Sequence, residues 1–297
     1  MKRRTLVAAM LVAALVIAGP PATAQDATKI LAVDIESDVV YGHKMGMALT
    51  LDVIRPAEAN GAAVLFMVSG GWVSRWVPAE RMAQRFEDLL AGGFTVIPIR
   101  HGSSPRFKVP EAVEDVRRAT RFVRANADSW GIDPDRLGVF GGSAGGHLSL
   151  ILGTTGDDGD AASSDPVLKG ASHVAAVVAY FPPVDLTGLA GPNDRFPALD
   201  FDTKLAESIS PIFHVSDDDP PSLMIHGDQD TLVPLVHSER ILTAFQEAGV
   251  VTDLIVIEGA GHGFQGEAAE TATAALVSWF ERHLLAGDGA QSTGGSE

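Results

Sequence analysis

Residues 138–150 read GVFGGSAGGHLSL, with Ser143 set among glycines directly after a short apolar run. Glycine loses more conformational freedom on folding than any other residue, so such a cluster marks a backbone that bends sharply or is closely approached. Gly141-Gly142-Ser143-Ala144-Gly145 fits the pattern G-x-S-x-G. It stands where that pattern has meaning, after a strand-like run and before the helix-like AGGHLSLIL. Side chains two residues either side of the serine would collide in so tight a turn. The hydroxyl is aimed out of the sheet, and the following helix directs its positive end at a developing oxyanion. A phosphate-cradling loop is the other use of such glycines, but the lysine of a Walker motif is missing. The chemistry implied is nucleophilic attack by a serine alcohol.

That alcohol needs a base, and the base needs a carboxylate to hold its tautomer. In this strand–turn–helix class the order along the chain is Ser, Asp or Glu, His. His262 follows the strand-like TDLIVIEG in a glycine-rich loop, IEGAGHGFQG. Asp228 and Asp230 follow PSLMIHG in the loop GDQDTLVP. Asp230, deeper in the loop, is the better acid, and Asp228 reads as a turn former using its side chain locally. Among the other histidines, His226 at a strand end reads as structural and His147 faces the wrong way for a base. His101 is a candidate for the pocket rim, and His43, His173, His214, His237 and His283 have no partner motif. An oxyanion hole is expected from Ser69-Gly70-Gly71-Trp72, with the amides of Gly71 and Ala144 as donors and Gly70 assisting. Trp72, Trp76, Phe196, Phe201 and Phe213 are further candidates for pocket walls.

The elements that must position these residues alternate. The runs 62–68, 94–99, 136–141, 174–181, 221–227 and 252–259 read as buried strands of a mostly parallel sheet. The stretches 78–93, 110–131 and 236–250 carry apolar residues at helical spacing, the first two closed by glycine. This alternation implies a doubly wound α/β sheet with helices on both faces. VVYGHKMGMALTLDVIRP (39–56) alternates and stops at proline, so it predicts an antiparallel hairpin at the sheet edge. Ligands of open α/β sheets bind beyond the carboxyl ends of the strands, which is where Ser143, Asp230 and His262 all fall.

The chain has 297 residues, 46% of them hydrophobic, and no cysteine, so neither a disulfide nor an acylated thiol can support it. Its net charge of −16 argues against nucleic acid and anionic membrane surfaces as partners. Residues 1–24 read as a signal peptide: Lys2, Arg3 and Arg4, an apolar stretch from Thr5 to Ala18, then Ala22-Thr23-Ala24. That predicts an exported mature chain beginning near Gln25, periplasmic or extracellular, with one catalytic domain to residue 285 and a small polar disordered tail over 286–297. Residues 185–219 are too long for a simple connection and predict a small cap. The acidic run TTGDDGDAASSD (154–165) lacks the spacing of a calcium loop and reads as solvated; no metal or organic cofactor is expected. Oligomeric state is not encoded in any pattern found.

The chain resembles the α/β-hydrolases of the hormone-sensitive-lipase type, in particular their bacterial feruloyl-esterase-like branch, which grades into prolyl-oligopeptidase-type hydrolases. The resemblance runs from about Val39 to Leu285. It rests on SGGW, on NADSWGIDPDRLGVFGGSAGGHLS, and on SPIFHVSDDDPPSLMIHGDQDTLVPLVHSERILTAFQEAGV with IEGAGHGF. It implies an α/β-hydrolase fold, Ser143 as nucleophile, Asp230 as acid, His262 as base, and Gly70, Gly71 and Ala144 as oxyanion donors. The activity implied is hydrolysis of small-molecule or carbohydrate-linked carboxylic esters through an acyl-enzyme. One departure bears on loop rigidity: the family writes His-Gly-Gly-Gly where this chain has Val68-Ser69-Gly70-Gly71. Two alternatives stay open. A serine peptidase of the prolyl-oligopeptidase type would use the same triad, and a non-catalytic carbohydrate- or polymer-binding protein would not need it.

Overall fold

The computed structural model describes residues 32–285; the expected signal peptide and polar tail lie outside them. A hairpin of β1 (Val33–Lys44) and β2 (Met47–Pro56) opens the fold. It is followed by β3 (Ala63–Met67), β4 (Thr95–Ile99), β5 (Leu137–Gly142), β6 (Ala176–Tyr180), β7 (Ser222–Gly227) and β8 (Thr252–Ile257). They form one eight-stranded sheet in the order β1-β2-β4-β3-β5-β6-β7-β8. The hairpin is antiparallel and pairs antiparallel with β4, while β4 through β8 are parallel. The doubly wound α/β sheet is therefore present, with the hairpin at its edge.

The helices are α1 (Ala79–Arg85), α2 (Glu87–Ala91), α3 (Val109–Asn126), α4 (Ala144–Thr154), α5 (Val236–Ala248) and α6 (Glu267–Leu284). Strand residues alternate between two apolar clusters, as a period of two requires. Ala63, Leu65 and Met67 of β3 join residues of α3, α4 and α5 on one face. Val64 and Phe66 join residues of α1, α2 and α6 on the other. The continuous helix expected over 78–93 is broken at Phe86, whose backbone leaves the helical region at φ −112° and ψ 29°. Its ring stands edge-on to Phe66 and Phe140 across the sheet face. The expected helix over 110–131 is α3 plus a 3₁₀ turn, ended by left-handed Gly131. Helix α6, which buries Leu276, Trp279 and Phe280, was not singled out in the sequence.

Residues 185–219 are a succession of 3₁₀ turns at Pro197–Leu199, Thr203–Leu205, Glu207–Ile209 and Pro211–Phe213. The segment folds back on itself: the Leu186 N–H donates to the Ser210 hydroxyl, which donates to the Ala206 carbonyl. Lys108 ties it to α3 through the Pro197 carbonyl at 2.7 Å. The acidic run at 154–165 is used within the fold, Asp157 pairing with Arg121 and Asp165 with Arg118. Among the described residues no helix is long and apolar enough to cross a membrane.

Candidate active site

All the parallel strands end on one edge, and the loops that follow bring distant side chains together there. Ser143, between β5 and α4, adopts φ 55° and ψ −119°, a strained conformation for a residue with a side chain. Its N–H donates to the Tyr180 carbonyl at 2.9 Å, and its carbonyl accepts from the His147 N–H at 2.9 Å. The flanking glycines are required by contact. A Cβ on Gly141 would lie 2.6 Å from the Gly145 backbone, and one on Gly145 would lie 2.8 Å from the Met67 carbonyl.

The His262 imidazole reaches this serine from the loop after β8. Its Nε2 is 2.8 Å from Ser143 Oγ and its Nδ1 is 2.6 Å from Asp230 Oδ2. A carboxylate only accepts, so Nδ1 carries the proton and Nε2 presents its lone pair to the serine O–H. The Asp230 side chain is fully buried, and its other oxygen accepts from the N–H groups of Leu232 (2.8 Å) and Val233 (2.9 Å). Asp228 instead accepts from the Gly259 N–H at 2.7 Å, and Gln229 N–H donates to the Ala260 carbonyl, so the acid and base loops are stitched to each other. His226 braces the same loop: its Nε2–H donates to the Val233 carbonyl and its Nδ1 accepts from Ser238, both at 2.8 Å. Burial pushes its pKa down, keeping it neutral beside Asp230.

Phe181, not singled out in the sequence, places its ring 4.5 Å from that of His262 and stands at φ 38°. Its position as the last residue of an apolar strand run, at the edge where the loops converge, was the available signal.

The loop after β3 corrects part of the expected oxyanion hole. Gly70 and Val73 exchange two 3.1 Å backbone hydrogen bonds, so the Gly70 N–H is already committed and cannot assist. Among the described residues the N–H groups of Gly71 and Ala144 have no acceptor. Gly71 stands at φ 58° and Trp72 at φ 57°. Ser69 is tied to a histidine of the neighbouring loop: its hydroxyl donates to His101 Nε2 at 2.9 Å, and His101 Nδ1–H donates to the Gly102 carbonyl. His101 is therefore a buried brace rather than a rim residue, and burial lowers its pKa. The two loops are zipped further by the Ser103 hydroxyl, which bonds both N–H and carbonyl of Ser74.

The expected pocket walls divide. Phe196 stands against Gly71, 3.1 Å from where a Cβ there would sit, with the Arg195 guanidinium 5.3 Å from its ring centre. Trp72 is not a wall: it is 4% exposed and turned into the core, donating its Nε1–H toward His147. Trp76 is 61% exposed and donates to Asp38 of the edge hairpin. Phe201 packs into the cluster with α3–α5, and Phe213 is half exposed.

The sequence pattern of the BD-FAE family matches residues 51–245, a span that holds Ser143 and Asp230 and ends before His262. The chain belongs to the BD-FAE family. Esterase LipQ of Mycobacterium tuberculosis is 30% identical over 233 residues, covering 73% of this chain and 54% of that protein. The chain thus spans about half the length of this curated relative. Among solved structures, a truncated carbohydrate esterase from gut microbiota superposes with TM-score 0.73 at 30% identity, covering 87% of this chain and 99% of that one. The native form of a thermophilic esterase from Thermogutta terrifontis superposes with TM-score 0.69 at 26% identity, covering 89% and 95%. These likenesses match the family resemblance read from the sequence and the α/β-hydrolase fold.

Proposed function

We propose that the chain is an exported serine esterase that cleaves carboxylic esters through an acyl-enzyme. The observation that carries this reading is the unbroken line of hydrogen bonds from buried Asp230 through His262 to Ser143 Oγ. Ser143 attacks the ester carbonyl as His262 Nε2 takes its proton. Asp230 holds the imidazole tautomer and stabilises the imidazolium. The N–H groups of Gly71 and Ala144 receive the oxyanion, and His262 returns the proton to the departing alcohol. A water deprotonated by His262 then attacks the acyl-enzyme, the oxyanion forms in the same hole, and the acid leaves from Ser143.

Phe181 and Phe196 shape the site on two sides, and residues 185–219 act as a small cap on the Phe196 side. Substrates are small-molecule or carbohydrate-linked esters, a reading supported by the similarity to a protein described as a carbohydrate esterase. Export follows from the expected leader and is tested by N-terminal sequencing of secreted protein, which should begin near Gln25.

The activity test sets a short-chain p-nitrophenyl ester beside an aminoacyl amide, with Ser143→Ala as control. The ester is turned over, the amide is not, and the substitution abolishes the rate. Amide hydrolysis at a comparable rate would make the protein a peptidase, and full ester activity in the variant would remove Ser143 from the mechanism.

A further inference from the structure

His147 is fully buried on the first turn of α4, three residues after Ala144, and no step above uses it. Both ring nitrogens nevertheless have partners from distant parts of the chain. Trp72 Nε1 lies 3.3 Å from His147 Nδ1, the two rings edge-on with centres 5.5 Å apart. His147 Nε2 lies 2.7 Å from the Ile209 carbonyl. An indole N–H can only donate and a carbonyl can only accept, so the protonation is dictated. Nε2 carries the hydrogen and Nδ1 is the acceptor.

This ring joins the three segments around the oxyanion hole. Trp72 adjoins Gly71; both have positive φ, which glycine adopts freely but which is costly for Trp72 unless the surroundings hold it. Ala144 N–H, the second donor, opens the helix that carries His147. Ile209 belongs to the segment whose Phe196 stands against Gly71. Oxyanion donors are effective only when held in place before charge develops, so the separation of two donors on different loops must be set by something rigid between them.

We propose that His147 is a positioning residue that sets the distance between the Gly71 and Ala144 amides by accepting the Trp72 indole hydrogen bond. The proposal rests on the esterase reading above and deepens it. The neutral ring is essential, because a proton on Nδ1 would confront the indole N–H. Burial suits this, pushing the His147 pKa down to about 4.

The geometry separates the two tethers experimentally. Glutamine places its amide nitrogen near Nε2 and keeps the Ile209 bond while losing the acceptor for Trp72. Asparagine places its carbonyl oxygen near Nδ1 and does the reverse. Trp72→Phe removes the donor and leaves His147 untouched. With p-nitrophenyl acetate, His147→Gln and Trp72→Phe should each lower kcat about tenfold with KM within about twofold, the magnitude of a partly misplaced oxyanion donor. His147→Asn should recover most of that loss. The Ki of an alkyl boronic acid, whose adduct on Ser143 is tetrahedral, should rise in step with the fall in kcat.

Circular dichroism and thermal melts establish that each variant is folded, and Trp72→Phe carries the test if His147→Gln does not fold. Folded Trp72→Phe or His147→Gln with wild-type kcat and boronate affinity would overturn the proposal while leaving the esterase reading intact. Absence of ester turnover by the wild-type protein would instead sink the reading on which it rests.

Discussion

The two sides of the site are organised differently. On the β7–β8 side, His262 is hydrogen-bonded to both Asp230 and Ser143, and the proposed mechanism gives each of the three a chemical role of its own. On the β3–β4 side, the group proposed to meet the substrate is the bare Gly71 amide, and the side chains bonded to its loop are buried: His101 to Ser69 and His147 to Trp72. On the proposed mechanism, side chains do the chemistry on one side, while on the other they only fix the backbone. Substitutions on the first side should therefore remove a reaction step, whereas those on the second should misplace a donor and cost less.

The largest effect expected is from Ser143→Ala, a fall of about 10⁶ in kcat with an ester substrate, as in serine hydrolases whose nucleophile is lost. Stopped-assay rates above a thousandth of wild type would break the comparison at its stronger end. Asp230→Asn should cost about 10⁴, because an amide in that position favours the wrong imidazole tautomer. Asp228→Asn, in steady-state kinetics alongside it, should stay within a few-fold, since that side chain serves only the Gly259 turn.

Acid should reveal the buried histidines of both sides in a stability measurement. Burial lowers the pKa values of His101, His147, His226 and His237. In the unfolded chain these rings take a proton near pH 6.5, but the folded protein resists it, so the unfolded state binds more protons below that pH. Stability is then fully present above about 6.5 and is lost as the pH falls toward 4. His147 alone, lowered from 6.5 to about 4, contributes about 3 kcal/mol of that loss. Urea unfolding at pH 7 and pH 4.5 checks the sign, and His147→Asn should flatten the difference.

Two adjacent glycines sharpen the contrast within the oxyanion loop. Gly71→Ala forces a side chain onto φ 58° and against Phe196, and should lower kcat about a hundredfold. Gly70→Ala meets nothing within 4 Å, and the Gly70 N–H is held by Val73, so its kinetics should stay near wild type. Ser69→Ala, which removes the hydrogen bond to His101, should cost only a few-fold in kcat without changing KM. A loss as large as that of Gly71→Ala would show that the brace matters as much as the donor it supports.

The sequence alone singles out Ser143, Asp230 and His262, because each follows an apolar strand run and parallel strands must deliver their loops to one edge, and the fold brings the three side chains into one hydrogen-bonded line. It also revealed the edge hairpin and the two-faced sheet, since periodicities of 2 and 3.6 are local properties of the chain. What it could not reveal depends on contacts between residues far apart in sequence. Gly70 and Gly71 look alike in SGGW, and only the fold shows that one N–H is taken by Val73 and the other is open. Trp72 reads equally as pocket wall or core, and its inward turn is set by a histidine 75 residues away. The break at Phe86 follows from rings that come from different strands. Local pattern determined which side chains have the chemistry to react; tertiary packing alone decided which amides were left without an acceptor, because a hydrogen bond's partner is a matter of space and not of sequence order.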